Sequence, residues 1–220
     1  MNALNMVQAR FNMVEQQIRP WDVLHQDVLE LLEKLPRDEF VSENYKNLAY
    51  ADMRIPLGQG QFMMEPKYEA RILQALEVQG HEKVLEIGTG SGYLTALLAS
   101  KAAEVVSIEI HPELQLEAKQ RLAAHDISNV TLVSGDAAAG WDTGNGYDVI
   151  VLTGSLPLMP EYFKQGLKVG GRLFVVTGDA PAMEAHLITR LGVDEFADET
   201  LFETDLPALE NAPQPDRFSL

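Results

Sequence analysis

The 220-residue chain has no cysteine. Disulfides, cysteine nucleophiles and thiolate metal sites are excluded, and the absence fits a reducing compartment such as the cytoplasm. Basic residues are scarce: 17 Lys and Arg stand against 33 Asp and Glu, a formal charge of −16. With no general positive field to attract phosphates, neither a nucleic-acid partner nor an anionic membrane surface is expected. Aromatic residues are only 7% and are not interleaved with basic ones, which argues against a base-stacking surface. No apolar run approaches the roughly 18 residues of a membrane span, and no N-terminal segment has the form of an export signal, so a soluble, unexported protein is expected. The five histidines, His25, His81, His111, His125 and His186, lack metal-ligand spacing, and no metal is expected. What remains, 46% hydrophobic and 23% charged residues, suits one α/β domain with a sizeable core.

The most informative stretch is Val84-Leu85-Glu86-Ile87-Gly88-Thr89-Gly90-Ser91-Gly92. A short apolar strand runs into three glycines spaced two apart, and the Leu- and Ala-rich residues 93–99 then read as a helix. Strand, glycine turn and helix together present backbone N–H groups to a ligand. The dinucleotide pattern G-x-G-x-x-G fails because Tyr93 stands where its last glycine belongs. A P-loop would need Gly-Lys-Ser/Thr, which is absent, and Thr89 breaks the G-x-S-x-G of a hydrolase. The run E-x-G-x-G-x-G instead resembles the first motif of Rossmann-like S-adenosylmethionine (SAM) methyltransferases. Residues 103–109 form a second strand ending in Glu109, placed to accept hydrogen bonds from both ribose hydroxyls. Asp136, just after a third strand, is placed for the adenine amino group. Glu86, Gly88, Thr89, Gly90, Ser91, Gly92, Glu109, Asp136, Ala137 and Thr153 make up the expected cofactor site.

Elsewhere the pattern predicts a helix over 1–19 ended by Pro20, and a second helix capped by Asp22 and running to Leu35. Residues 42–65 lack periodicity and are apolar enough to suggest a functional loop. A helix follows Pro66 to about Glu77. Strands at 83–87, 104–109, 129–133, 147–152 and 172–176 alternate with helices at 92–101, 112–125 and near 158–167, implying right-handed crossovers and a mostly parallel sheet. Two further extended segments, 185–191 and 199–205, suggest an antiparallel hairpin at its edge. The expected organisation is one domain: an N-terminal helical cap and acceptor loop (1–65), a SAM-binding core (66–205) and a C-terminal arm (206–220).

Several segments resemble the protein-L-isoaspartate (D-aspartate) O-methyltransferase family. They are Met13-Val14-Glu15-Gln16-Gln17-Ile18, Leu35-Pro36-Arg37-Asp38-Glu39-Phe40-Val41, Ala49-Tyr50-Ala51-Asp52, Ile55-Pro56-Leu57-Gly58-Gln59-Gly60-Gln61, the glycine run itself, Gly135-Asp136, Gly140-Trp141 and Gly170-Gly171-Arg172-Leu173. The P-R-x-x-F-V and I-P-L-G-x-G-Q segments are the most particular to that family. The resemblance implies SAM as cofactor, a protein or peptide substrate carrying isoaspartate, and methyl transfer to the isoaspartyl side-arm carboxylate in protein repair. It also implies an acceptor pocket at Gly60, Gln61, Phe62, Met63 and Met64, with Asp52 and Met64 at catalytic positions. The chain departs from the family pattern at two places. Phe62-Met63-Met64 replaces Thr-Ile-Ser, so an apolar Met64 stands for the family's serine beside an added Glu65, and Thr204-Asp205-Leu206-Pro207 replaces Arg-Phe-Val-Pro. Three readings stay open at this point: an isoaspartyl methyltransferase, a same-fold methyltransferase with a more apolar acceptor, and a SAM-binding protein without turnover.

Overall fold

A computed structural model describes residues 3–215. The two first residues of the expected N-terminal helix and residues 216–220 of the expected arm lie outside the described part. The core is a seven-stranded sheet built from β3 (Lys83–Ile87), β4 (Glu104–Glu109), β5 (Val130–Ser134), β6 (Tyr147–Leu152), β7 (Leu167–Asp179), β8 (Ala182–Arg190) and β9 (Phe196–Thr204). Its order is β5-β4-β3-β6-β7-β8-β9, parallel from β5 to β7, with β8 antiparallel to both neighbours. The edge hairpin expected from the sequence is β8–β9. The chain runs outward from β3 to β5, then returns to lay β6 on the other side of β3. That reversal of strand order opens a crevice at the carboxyl ends of β3 and its neighbours.

Each strand alternates its side chains between two apolar layers. Val84, Val105, Val149 and Phe174 face one cluster, whereas Leu85, Val106, Ile150 and Leu173 face the other. The first layer is completed by α3 (Pro66–Leu76), α4 (Tyr93–Ala99) and the N-terminal cap, which contributes Met13, Ile18, Val28, Leu32 and Phe40. Helix α5 (Pro112–Ala124) makes the β4–β5 crossover, and the short α6 (Glu161–Gln165) precedes β7.

The N-terminal region differs from expectation in its details. α1 (Ala3–Met13) passes into a π-helical turn, Val14–Ile18, and then a 3-10 turn, Arg19–Trp21, so Pro20 lies inside the last turn rather than ending the helix. Asp22 does not cap the next helix; it terminates the 3-10 turn in a left-handed conformation (φ 58°), and α2 starts later, at Gln26–Lys34. Leu24, ahead of that helix, is accordingly 68% exposed. Residues 42–65 are ordered as a 3-10 segment, Glu43–Leu48, and a small hairpin, β1 (Ile55–Gly58) with β2 (Gln61–Met63). β7 extends well beyond 172–176 at both ends. Among the described residues no helix is long and apolar enough to cross a membrane.

Candidate cofactor and acceptor site

The glycine turn shows why these positions cannot carry side chains. Gly88 leaves β3 at φ 96°, and a Cβ there would lie 2.2 Å from Thr153 Oγ1, which is hydrogen-bonded at the tip of β6 to the Ile87 and Gly88 carbonyls. Gly92 opens α4 at φ 84°, and its bare Cα lets Ala118 of α5 approach to 3.0 Å of where a Cβ would be. Gly90 donates its N–H to Glu109 Oε2 at 2.8 Å. The other oxygen, Oε1, accepts the His111 N–H at 3.0 Å. Glu109 is thus clamped at the carboxyl end of β4, 4% exposed, with lone pairs left for a ligand hydroxyl. Asp136 follows β5; Oδ1 accepts the Ala138 N–H at 3.0 Å and Oδ2 accepts from Asn211 Nδ2 at 2.7 Å.

These groups open onto one cleft of about 790 Å³, counting space open to solvent. Its wall includes Gly88, Gly90, Glu109, Asp136, Ala137 and Thr153, the expected cofactor residues, brought together from the tips of β3 to β6. Glu86, Thr89, Ser91 and Gly92 are not on that wall. Glu86 is fully buried behind it, where Oε2 accepts hydroxyl hydrogen bonds from Thr95 (2.5 Å) and Ser107 (2.6 Å), tying β3 to α4 and β4. Burial pushes its carboxyl up to about 8, against those two hydroxyls. Thr89 hydrogen-bonds Ser107 at 2.6 Å, and Ser91 Oγ accepts the Tyr93 N–H at 3.2 Å, so both brace the turn from inside.

The residues expected to form the acceptor pocket lie on β2 and its flanks. Gln61, Phe62, Met63 and Met64 all reach the cleft. Phe62 is 48% exposed at its rim, while Met63 and Met64 are buried in the core cluster that also holds the N-terminal cap. Gly60 sits at the hairpin tip, outside the wall. Asp52 is not in the pocket expected for it: its carboxylate pairs with Lys67 at 2.9 Å on the surface. Arg37 holds the acceptor segment from below. It is completely buried, and its Nε, Nη1 and Nη2 donate to Glu69 Oε2 (2.9 Å), the Ala49 carbonyl (2.5 Å) and the Met64 carbonyl (2.5 Å). Burial raises the Glu69 carboxyl to about 7, with Arg37 opposing the shift.

Comparison with known proteins decides the family. The family model described as protein-L-isoaspartate(D-aspartate) O-methyltransferase matches residues 8–204. The chain belongs to this family. Protein-L-isoaspartate O-methyltransferase 1 of Rhodopseudomonas palustris is 39% identical over 201 residues, 91% of this chain and 82% of that protein. Protein-L-isoaspartate O-methyltransferase 2 of Marinobacter nauticus is 40% identical over 185 residues, 84% of each chain. A crystal structure of a Plasmodium falciparum protein assigned to the same activity, in complex with S-adenosyl-L-homocysteine, superposes with a TM-score of 0.77 over 91% of this chain and 98% of that one, at 18% identity, and shares the fold.

Against the family's residue pattern, three features escaped the sequence reading. Residues 206–210 wall the cleft, with Ser155 bonded to the Leu206 carbonyl and Glu210 accepting from Gln61 Nε2 at 3.0 Å. Arg54 is on the wall as well. Arg37 stands in the P-R-x-x-F-V motif, but its burial and its pairing with Glu69 are not local signals, although an arginine is rarely fully buried unless it is paired.

Proposed function

We propose that this methyltransferase uses SAM to methylate the side-arm carboxylate of isoaspartyl residues in proteins or peptides, as a repair activity of the cytoplasm. The observation that carries the proposal is the joint lining of one cleft by Gly88, Gly90, Glu109 and Asp136 on one side and by Gln61 to Met64 on the other. The lining fits the nucleoside: the bare Cα atoms of Gly88 and Gly90 allow close approach to the main chain, a clamped carboxylate suits the ribose, and a second carboxylate suits adenine. When bound, the cofactor supplies an electrophilic methyl group on a sulfonium sulfur.

The chain's own residues supply the rest. An isoaspartyl carboxylate is ionised at pH 7 and already nucleophilic, so no general base is required of the pocket. The work left to the protein is to align the acceptor oxygen and to exclude water. The Arg37 cluster fixes the Met64 main chain, and the buried Met63 and Met64 make that wall apolar, which strengthens polar contacts made at the wall. The 206–210 segment covers the opposite rim through Glu210 and, next to it, Asn211.

Methyl transfer to a peptide carrying isoaspartate, measured beside its aspartyl twin, tests this reading. Base-labile methylation of the first peptide alone is expected. Equal labelling of both, or none, would contradict it.

A further inference from the structure

Arg54 is the one cation among the residues lining the cleft, whose acids are Glu109, Asp136 and Glu210. It directly precedes β1 and meets the cleft on the side of Gln61, Phe62, Met63 and Met64. Its Nη2 donates to the Asp205 carbonyl, joining the hairpin to the chain just ahead of Leu206 and Pro207. Its Nε lies 3.4 Å from Glu65 Oε1 without the alignment of a hydrogen bond. Among the described residues, that buried Nε and the buried Glu65 Oε2 both lack a hydrogen-bond partner. Arg37 offers the contrast: it is wholly buried, all three of its nitrogens are bonded to protein, and its role is structural. Arg54 is 29% exposed and carries one unmatched buried donor, Nε, beside an apolar wall.

A guanidinium fork is the side chain best matched to a carboxylate, and an unmatched buried donor calls for an acceptor. Glu65 holds Arg54 only partially. It is also the residue that would repel an acidic acceptor if it faced the cleft, yet it is turned to Arg54 and lies off the wall. We propose that Arg54 anchors the acceptor's carboxylate, and that Glu65 is an internal anion which Arg54 exchanges for it. The proposal rests on the isoaspartyl reading above. It gives the chain a substitute for the family hydroxyl at Met64 and for the family arginine at Thr204. No bond is made or broken in this step; one ion pair replaces another, and Glu65 gains water as Arg54 turns to the substrate.

The exchange predicts opposite effects for the two partners. Arg54→Met should raise the KM for an isoaspartyl peptide by about tenfold to a hundredfold, the range of one charge-assisted hydrogen bond. Glu65→Gln removes the competitor and should lower that KM severalfold, while Arg54→Lys, which keeps charge but loses the fork, should fall between wild type and Arg54→Met. The same order is expected in a second readout, dissociation constants of the isoaspartyl peptide from enzyme saturated with S-adenosylhomocysteine, with SAM affinity unchanged throughout. If Arg54 is only a strut between the hairpin and residue 205, both substitutions lower the melting temperature and peptide affinity moves the same way in both or not at all, which overturns the proposal. Should Arg54→Met fail to fold, Glu65→Gln and Arg54→Lys carry the test alone. Transfer by the wild type with no response to either substitution rejects the anchor and leaves the activity standing; no transfer or peptide binding by the wild type rejects both.

Discussion

Replacing Arg37 by methionine is the perturbation whose consequences follow most fully from the geometry. The substitution keeps the volume but strands three acceptors: the Glu69 carboxylate and the carbonyls of Ala49 and Met64. Removing one partner of a buried ion pair costs about 3–5 kcal/mol. For a chain of this size, with about 2–4 °C per kcal/mol, the melting temperature should fall by roughly 6–20 °C. The deficit should depend on pH. Burial already raises the Glu69 carboxyl from 4.5 to about 7 in the presence of Arg37, and without the guanidinium nothing opposes that shift. A folded-state pKa above the unfolded value favours the folded state at low pH, and the contribution is lost as pH rises through the folded pKa. Arg37→Met should therefore be less destabilised at pH 5 than at pH 8. Adding Glu69→Met removes the stranded charge and should recover about half of the loss, the two carbonyls remaining unsatisfied. The double variant should still bind SAM but lose isoaspartyl transfer, because Met64 is no longer held. Urea and thermal unfolding at both pH values, with peptide kinetics on the double variant, provide the assay. A loss under about 1 kcal/mol, equal losses at the two pH values, or no recovery in the double variant would refute the reasoning.

Other outcomes follow from single contacts. Glu86 titrates near 8 in the folded chain because it is buried, so wild-type stability should decline as pH rises from about 5 through 8; Glu86→Gln should flatten that slope in unfolding measured across the range. Gly88→Ala places a methyl 2.2 Å from Thr153 Oγ1 at a positive φ, and calorimetry should show SAM affinity and melting temperature falling together. Adding Thr153→Ser should not relieve it, since the hydroxyl itself is the obstacle.

Much of the sheet is legible in the sequence because its strands are short apolar runs bounded by turn residues. Lys83–Ile87, Glu104–Glu109 and Tyr147–Leu152 have the bounds that the pattern predicts. β7 is longer than its apolar centre, since Gly170 and Gly171 read as a turn yet lie in a strand whose pairing with β6 is irregular between Tyr147 and Val149. The β1–β2 hairpin is hidden by its size, with strands of four and three residues, one holding Pro56. For the site, the glycine turn and the two acids are local signals at strand ends. The contacts that shape the acceptor side are not local. Arg37 reaches partners 12, 27 and 32 residues away, and Arg54 meets Asp205 across 151 residues. No periodicity reports such meetings, and Asp52, conspicuous beside the motif, is taken up by Lys67 instead.

Glu109, clamped by the Gly90 and His111 N–H groups, is the carboxylate proposed to receive the ribose, and SAM binding should depend on it most. Titration of SAM into Glu109→Ala and wild type, each shown to be folded by its unfolding transition, measures this directly. The predicted result is a dissociation constant raised by about tenfold or more, the loss of a pair of charge-assisted hydrogen bonds. An unchanged constant in a folded variant would contradict it.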